Sequence, residues 1–349
     1  MIELDGSYGS GGGALVRVAL ALSALTGKEF KVDKIRAGKG DSGGLKAQHL
    51  HAIKALKEIC GAETNEIELG SKELWFKPGK VKRGIYEVDI GTAGSISLFL
   101  QALILPCMFA PGKVTLKVKG GTCGKWQAPV DYLQNVLLPQ LRRFVEKIEL
   151  KVLKRGYYPK GGGEVVLEIT PKFGSFEELS EVPKFSLGES GKLEQIKGRV
   201  NLSRELEEKK VGERIKETAE RELNKYSCLV DIAVEYSETL SVGGEVVLWA
   251  VFSEDGERKT ILGGDDLIEK GKRSEDIGKK AAEMLIKEID SGFGVDRNLA
   301  DQLIIFMALL PGSSMGVREV SKHSKTNVYV VEKFLDVVFE VDEQRVSIK

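Results

Sequence analysis

Apolar residues recur along the chain at helical and strand-like periods in turn, and this alternation predicts most of its elements. Leu15, Val18, Leu22 and Leu25 fall three or four apart and predict an amphipathic helix over 15–25. A turn and a short strand follow within 26–36, and Leu45, Ile53 and Leu56 form the stripe of a second helix over 45–59. The succession returns twice. An apolar helix near 95–109 leads into the turn Ala110-Pro-Gly-Lys113 and the alternating strand Val114-Thr-Leu-Lys-Val118. Gly120-Gly-Thr122 and a helix over 130–145 come after it. In the third copy a helix over 299–310 precedes the turn Pro311-Gly-Ser-Ser314 and a strand over 316–320. A polar loop over 321–325 and a helix from Val328 complete it. Strands at 149–153 and 165–169 close units of this kind. The spacing predicts three stacked, pseudo-symmetric α/β units with helices against one face of a sheet.

The texture changes between 185 and 292. A highly charged helical stretch over 205–224 is followed by alternating strands at 229–235 and 245–252, then by a long helix over 274–289. This predicts a small α/β domain inserted ahead of the third unit. The division expected is a large domain of 1–184 plus 293–349, with units 1–80, 81–180 and 293–349, and an insert of 185–292. Nothing in the insert reads as chemical; a solvated scaffold or substrate lid is expected of it.

Composition narrows the function classes. A chain of 349 residues, 42% hydrophobic and 30% charged, has enough apolar surface for about two or three cored domains. Lys+Arg and Asp+Glu both total 52, so no global field draws the chain to membranes or long RNA. A local basic pocket for one RNA end is not excluded. Cys60, Cys107, Cys123 and Cys228 form no close pair, which argues against structural zinc and for reduced thiols. The start, Met1-Ile-Glu-Leu-Asp5, lacks a signal-peptide layout. The apolar run over 96–110 holds Gln101 and Pro106 and falls short of the ~20 residues a membrane helix needs. A cytoplasmic protein without a membrane partner is the expectation.

Four motifs invite chemistry. Gly40-Asp-Ser-Gly-Gly44 matches the pentapeptide around a serine-protease nucleophile, but no histidine precedes Ser42 to serve as its base. Gly6-Ser-Tyr-Gly-Ser-Gly-Gly-Gly13 follows a strand-like 2–4 and opens a helix carrying Arg17. Such a loop offers backbone N–H groups to an anion; it fits neither GxxxxGK[ST] nor GxGxxG, so a phosphate site and a tight turn both stay open. Gly161-Gly-Gly163 reads as a bend between paired strands. His49 and His51, two apart on a helix, cannot form an i,i+4 metal pair. His323 lies in a polar loop ahead of a helix that Thr326 or Asn327 can cap, and Lys322 and Lys325 flank it with charge that attracts a polyphosphate.

Seven segments, in order and at compatible spacing, together resemble RNA 3′-terminal phosphate cyclases over essentially the whole chain. They begin with Asp5-Gly-Ser-Tyr-Gly-Ser-Gly-Gly-Gly13 plus Arg17, then Ile35-Arg-Ala-Gly38 plus Gln48-His-Leu50, then Ile90-Gly-Thr-Ala-Gly-Ser95 plus Gln101. Gly120-Gly-Thr122 with Ala128-Pro129 and Gly156-Tyr-Tyr-Pro-Lys-Gly-Gly-Gly-Glu164 follow. Leu299-Ala-Asp-Gln302 and Ser321-Lys-His323 with Thr326-Asn327 end the series.

The resemblance implies an α/β (α+β) fold of three pseudo-symmetric βαβαββ repeats forming a large domain, with an inserted small thioredoxin-like domain. It implies an ATP-dependent enzyme that converts an RNA 3′-terminal phosphate to a 2′,3′-cyclic phosphodiester through a covalent histidine–AMP, releasing pyrophosphate and AMP. The nucleophile would be His323. Arg17 and Gln101 would hold phosphate, Asp301 and Gln302 the nucleoside, and Pro129 would pack on adenine. Arg36, Lys39 and His49 would face the RNA terminal phosphate. ATP and Mg²⁺ or Mn²⁺ are the implied cofactors and an RNA 3′ end the implied partner, with a homodimer one option for assembly. The chain departs from the family pattern at Ser10, where a metal-assisting glutamate is usual, which leaves the metal ligand unknown. Ala14, Lys39, Cys123 and Asn298 replace a usual glutamine, arginine, acid and aromatic. Two other classes compete: a non-catalytic RNA-binding ribosome-assembly factor of the same fold, and an enolpyruvyl transferase.

Overall fold

The protein is described from a computed structural model covering residues 1–254 and 257–349, without the side chains of residues 41, 42 and 257–259. Ser42, centre of the protease-like pentapeptide, therefore has its side chain outside the described residues.

Four four-stranded sheets occur among the described residues. In the first, the strands run in the order Ile2–Asp5, Phe30–Asp33, Leu74–Lys77 and Glu63–Thr64; the first pair is parallel and the others antiparallel. The second repeats that order and those directions with Gly84–Asp89, Val114–Gly120, Gly163–Pro171 and Val145–Lys154. A third does so with Ser186–Leu187, Ser314–Gly316, Arg345–Ile348 and Phe339–Val341. Its first strand, Ser186–Leu187, lies at the very start of the segment 185–292 expected as an insert, and its parallel partner Ser314–Gly316 follows that segment. Parallel neighbours need a crossover, and in the first sheet helix Ala14–Thr26 supplies it.

The fourth sheet has the order Leu229–Ser237, Lys192–Ser203, Gly244–Glu254, Glu257–Leu267. Helices Val211–Leu223 and Ser274–Ser291 cover one face, burying Ile196, Val200, Leu248 and Leu262. Val247, Trp249, Val251 and Ile261 point the other way and join the main core. Strand Gly244–Glu254 is accordingly apolar on both faces, which is why its sequence reads as a near-continuous Val-Val-Leu-Trp-Ala-Val-Phe run.

Two predicted helices differ in form. The apolar stretch over 95–109 makes two short helices, Ile96–Gln101 and Ile104–Cys107. Pro106 has no N–H for an uninterrupted helix, but none is needed in a first turn. The stretch from Val130 widens into a π turn over Leu133–Leu137 just ahead of Pro139. The glycine bend is present: Tyr157 bridges Gly161 at the mouth of strand Gly163–Pro171, and a Cβ on Gly161 would fall 1.7 Å from the Thr92 carbonyl oxygen. Among the described residues, no helix is long and apolar enough to cross a membrane.

Candidate active site

A cleft of about 700 Å³ gathers residues distant in sequence: Arg17, Gln101, Asp301, Gln302 and His323 all line it. Four helices supply them. Arg17 sits in the second turn of Ala14–Thr26, whose N-terminal residue Gly13 provides no side-chain cap, so the first N–H groups stay open to an anion. Gln101 ends helix Ile96–Gln101, which the Ser95 hydroxyl caps by accepting the Leu98 N–H at 3.1 Å. Asp301 and Gln302 lie on Arg297–Met307, capped by Asp296.

His323 is placed differently from the sequence reading. Helix Lys322–Phe334 begins earlier than expected, because Ser321 rather than Thr326 or Asn327 caps it, accepting the Ser324 N–H at 2.9 Å. His323 therefore stands in the first turn, exposed, and not in a loop. Thr326 faces inward instead: its hydroxyl donates to the Lys322 carbonyl and accepts the Ser10 N–H at 3.1 Å. The glycine loop thus rests on the histidine helix. Gly9, at φ +61, permits this approach, since a Cβ there would lie 2.3 Å from the Thr326 hydroxyl oxygen. A Cβ on Gly12 would lie 3.6 Å from His323 Cε1, so the loop passes beside the imidazole edge.

Asp301 fixes the same turn. One carboxylate oxygen accepts the hydroxyls of Ser321 and Ser324, and the Asn327 amide donates to the Asp301 carbonyl at 2.6 Å. Burial raises the Asp301 carboxyl above its ordinary range, while the two serine hydroxyls pull it back down. A polar relay crosses the cleft floor. Arg17 Nε donates to Gln101 Oε1 at 3.1 Å, Gln101 donates to Gln302 Oε1 at 3.1 Å, and Gln302 donates to the Asn298 carbonyl at 3.1 Å.

Arg17 is the electrostatic centre. Its guanidinium donates to a neutral amide, that of Gln101, and burial followed by the charge of Arg36 lowers its pKa to about 10. An anion in the cleft would relieve both effects. His49 stands behind this point at 1% exposure. Its Nδ1 accepts the Lys46 N–H at 3.0 Å, and burial followed by the charges of Arg17, Arg36 and Lys46 brings its pKa down to about 3. The ring is neutral and carries its proton on Nε2, which is buried without a hydrogen-bond partner among the described residues. A Cβ on Gly13 would fall 2.5 Å from that nitrogen and 3.2 Å from Arg17 Nη1, so only glycine leaves the two donors adjacent.

The remaining sequence candidates lie outside the cleft lining. Pro129 is buried at the start of a helical turn, though its neighbour Ala128 reaches the wall. Arg36, in a left-handed backbone conformation, donates to the Gly44 carbonyl at 3.2 Å, and Lys39 is exposed on the turn Ala37–Ser42.

Sequence reading missed one wall entirely. The segment 185–292 was expected to carry no chemistry, yet Asp265, Asp266, Glu269, Lys272 and Lys280 line the cleft together with Lys125 and Trp126. No local pattern signals this, since the wall forms only when strand Glu257–Leu267 packs on the main core. The metal position gains no carboxylate. Ser10 Oγ is buried without a partner, and no cluster of three His, Cys, Asp or Glu able to hold a cation exists among the described residues. This donor set does not fit a divalent ion held by protein side chains alone.

A family model described as RNA 3′-terminal phosphate cyclase matches residues 8–341. A Methanopyrus kandleri protein named RNA 3′-terminal phosphate cyclase is 43% identical over 347 residues, covering 98% of this chain and 95% of its own. Proteins of the same name from Pyrococcus abyssi, 42% identical over 98% of this chain and 95% of theirs, and Archaeoglobus fulgidus, 40% identical over 100% of both, are similar along their lengths. The chain belongs to the RNA 3′-terminal phosphate cyclase family.

Proposed function

We propose that this protein converts an RNA 3′-terminal phosphate into a 2′,3′-cyclic phosphodiester, consuming ATP through a covalent intermediate on His323. The observation that carries the reading is the meeting of an exposed imidazole on a helix first turn with Arg17 in one cleft. In the first step a ring nitrogen lone pair attacks the α-phosphorus. The N–P bond forms as the bond to the bridging oxygen breaks, and pyrophosphate leaves with that electron pair. An oxygen of the RNA 3′-phosphate next displaces the histidine, forming a mixed anhydride with AMP. The vicinal 2′-hydroxyl then attacks the terminal phosphorus, loses its proton, and expels AMP. Little covalent help is needed in such transfers; position and charge neutralisation dominate.

The residues divide this work. Arg17, steadied by Gln101, neutralises charge on the phosphates. Asp301 fixes the orientation of His323 through Ser321 and Ser324. His49 Nε2–H is a neutral donor beside Arg17. The described residues form no carboxylate cage for a divalent ion, so a metal accompanying the triphosphate would supply charge neutralisation there without a protein cage to hold it. The competing reading, a non-catalytic assembly factor, has no use for a capped, exposed histidine beside an arginine.

The test is the fate of an RNA bearing a 3′-phosphate. With ATP, the labelled end becomes resistant to alkaline phosphatase and AMP accumulates in equal amount. An RNA that is bound yet keeps a phosphatase-sensitive end at every ATP concentration would defeat the proposal.

A further inference from the structure

Trp126 is 95% exposed, the largest exposure among the large hydrophobic side chains, and it stands on the rim of the cleft that holds Arg17 and His323. Its backbone is left-handed, at φ +62. For a bulky residue this conformation is a true outlier, and it persists only where neighbours over-determine it. They do so here. On one side Lys125 pairs with Glu269 across the cleft at 2.8 Å. On the other, the Ser97 hydroxyl holds the Ala128 carbonyl at 2.7 Å, and the Val130 N–H binds the Thr122 carbonyl at 2.9 Å. The arch 124–128 is thus anchored at both feet and presents an indole to water. Nothing in the fold gains from that exposure.

We infer that Trp126 is the stacking platform for the adenine of bound ATP, an assignment that rests on the ATP-dependent reading above. Three observations favour the nucleotide over an RNA base. Trp126 shares its cleft with Arg17 and His323, whereas Arg36 and Lys39 do not line it. Pro129, the residue expected to cover adenine, is buried and outside the lining, and Asn298 on the wall offers no ring. Charge also orients the ligand. At the Trp126 end Glu269 is neutralised by Lys125 and Lys272, and Asp266 pairs with Lys280, while no carboxylate among the described residues pairs with Arg17. Phosphates go to the arginine and the base to the indole. A face-on base over an indole is sequence-tolerant stacking.

The test uses full-length protein with Trp126→Ala and Trp126→Phe, titrated with ATP and, separately, with inorganic tripolyphosphate. Of the three tryptophans, Trp249 is buried and Trp75 half-buried, so emission from Trp126 reports on the cleft. Expected results are fluorescence quenching by ATP that vanishes in Trp126→Ala and an ATP Kd raised about 10-fold there. Trp126→Phe should restore most of the affinity, and tripolyphosphate should bind all three alike. Unchanged ATP affinity in Trp126→Ala, with wild type still adenylated on His323, overturns this assignment alone. So does weakened binding of 3′-phosphorylated RNA with ATP binding intact, which would give the indole to an RNA base. A wild type that does not bind ATP defeats both this inference and the reading beneath it.

Discussion

At the scale of single residues, the site depends on donors whose geometry cannot be relaxed. Arg17 Nε is committed to Gln101, which leaves the remaining guanidinium N–H groups for the phosphates of the proposed nucleotide. Lysine in its place keeps the charge and loses both the fork and the link to Gln101. Arg17→Lys should raise the KM for ATP by roughly 10- to 100-fold, the equivalent of a charged hydrogen bond worth about 1.5–3 kcal/mol. Steady-state kinetics at saturating RNA would check it; an unchanged KM would remove Arg17 from the phosphate site. The motif glycines were legible as a cluster but not in their roles. Gly9 and Gly13 matter because Thr326, His49 and Arg17 come within a Cβ's reach of them, and the contact of Gly9 with Thr326 joins opposite ends of the chain.

Among elements, helix Arg297–Met307 carries the most. Asp296 caps it and also receives the Tyr132 hydroxyl at 2.7 Å and the Gly263 N–H at 2.8 Å, so one carboxylate ties three segments together. Burial alone would raise the Asp296 carboxyl, and these donors oppose the rise. Tyr132→Phe removes one donor to a buried carboxylate and should cost about 1.5–3 kcal/mol, read as a shift in urea unfolding midpoint. A variant as stable as wild type would show that Asp296 does not need the hydroxyl. The helix itself was readable from Leu299, Leu303 and Met307 at helical spacing, but over 299–310; capped by Asp296, it runs Arg297–Met307 instead. Other elements were not. Ser186–Leu187 is two residues long, too short for any period, and is a strand only because Ser314–Gly316 pairs with it. The start of the histidine helix was legible in principle, as Ser321 three residues ahead of Ser324, but Thr326 and Asn327 offered equally good capping chemistry.

For the whole molecule, the mixed α/β class was legible from periodicity, whereas the cleft was not, because its far wall belongs to a segment whose local pattern says only strand and helix. The seam between that segment and the main body holds a buried cluster. Arg155 pairs with Asp131 and lies 3.3 Å from Glu245, which also accepts the Asn201 amide at 3.1 Å. Burial pushes the Glu245 carboxyl up to about 7 from 4.5, with Arg155 opposing and Asp131 assisting. The folded state therefore holds this proton more tightly than the unfolded chain does. Its contribution is fully present below about pH 4.5 and is lost as pH rises through about 7. Glu245→Gln, which cannot ionise, should gain Tm relative to wild type steadily across that window; a pH-independent difference would contradict the burial account. The most direct test of the central claim is labelling with α-³²P-ATP and Mg²⁺ or Mn²⁺, comparing wild type with His323→Ala on a denaturing gel. The account predicts an acid-labile label on wild type, released by RNA bearing a 3′-phosphate, and none on the variant. Label retained by His323→Ala, or absent from a folded, RNA-binding wild type with either metal, would contradict it.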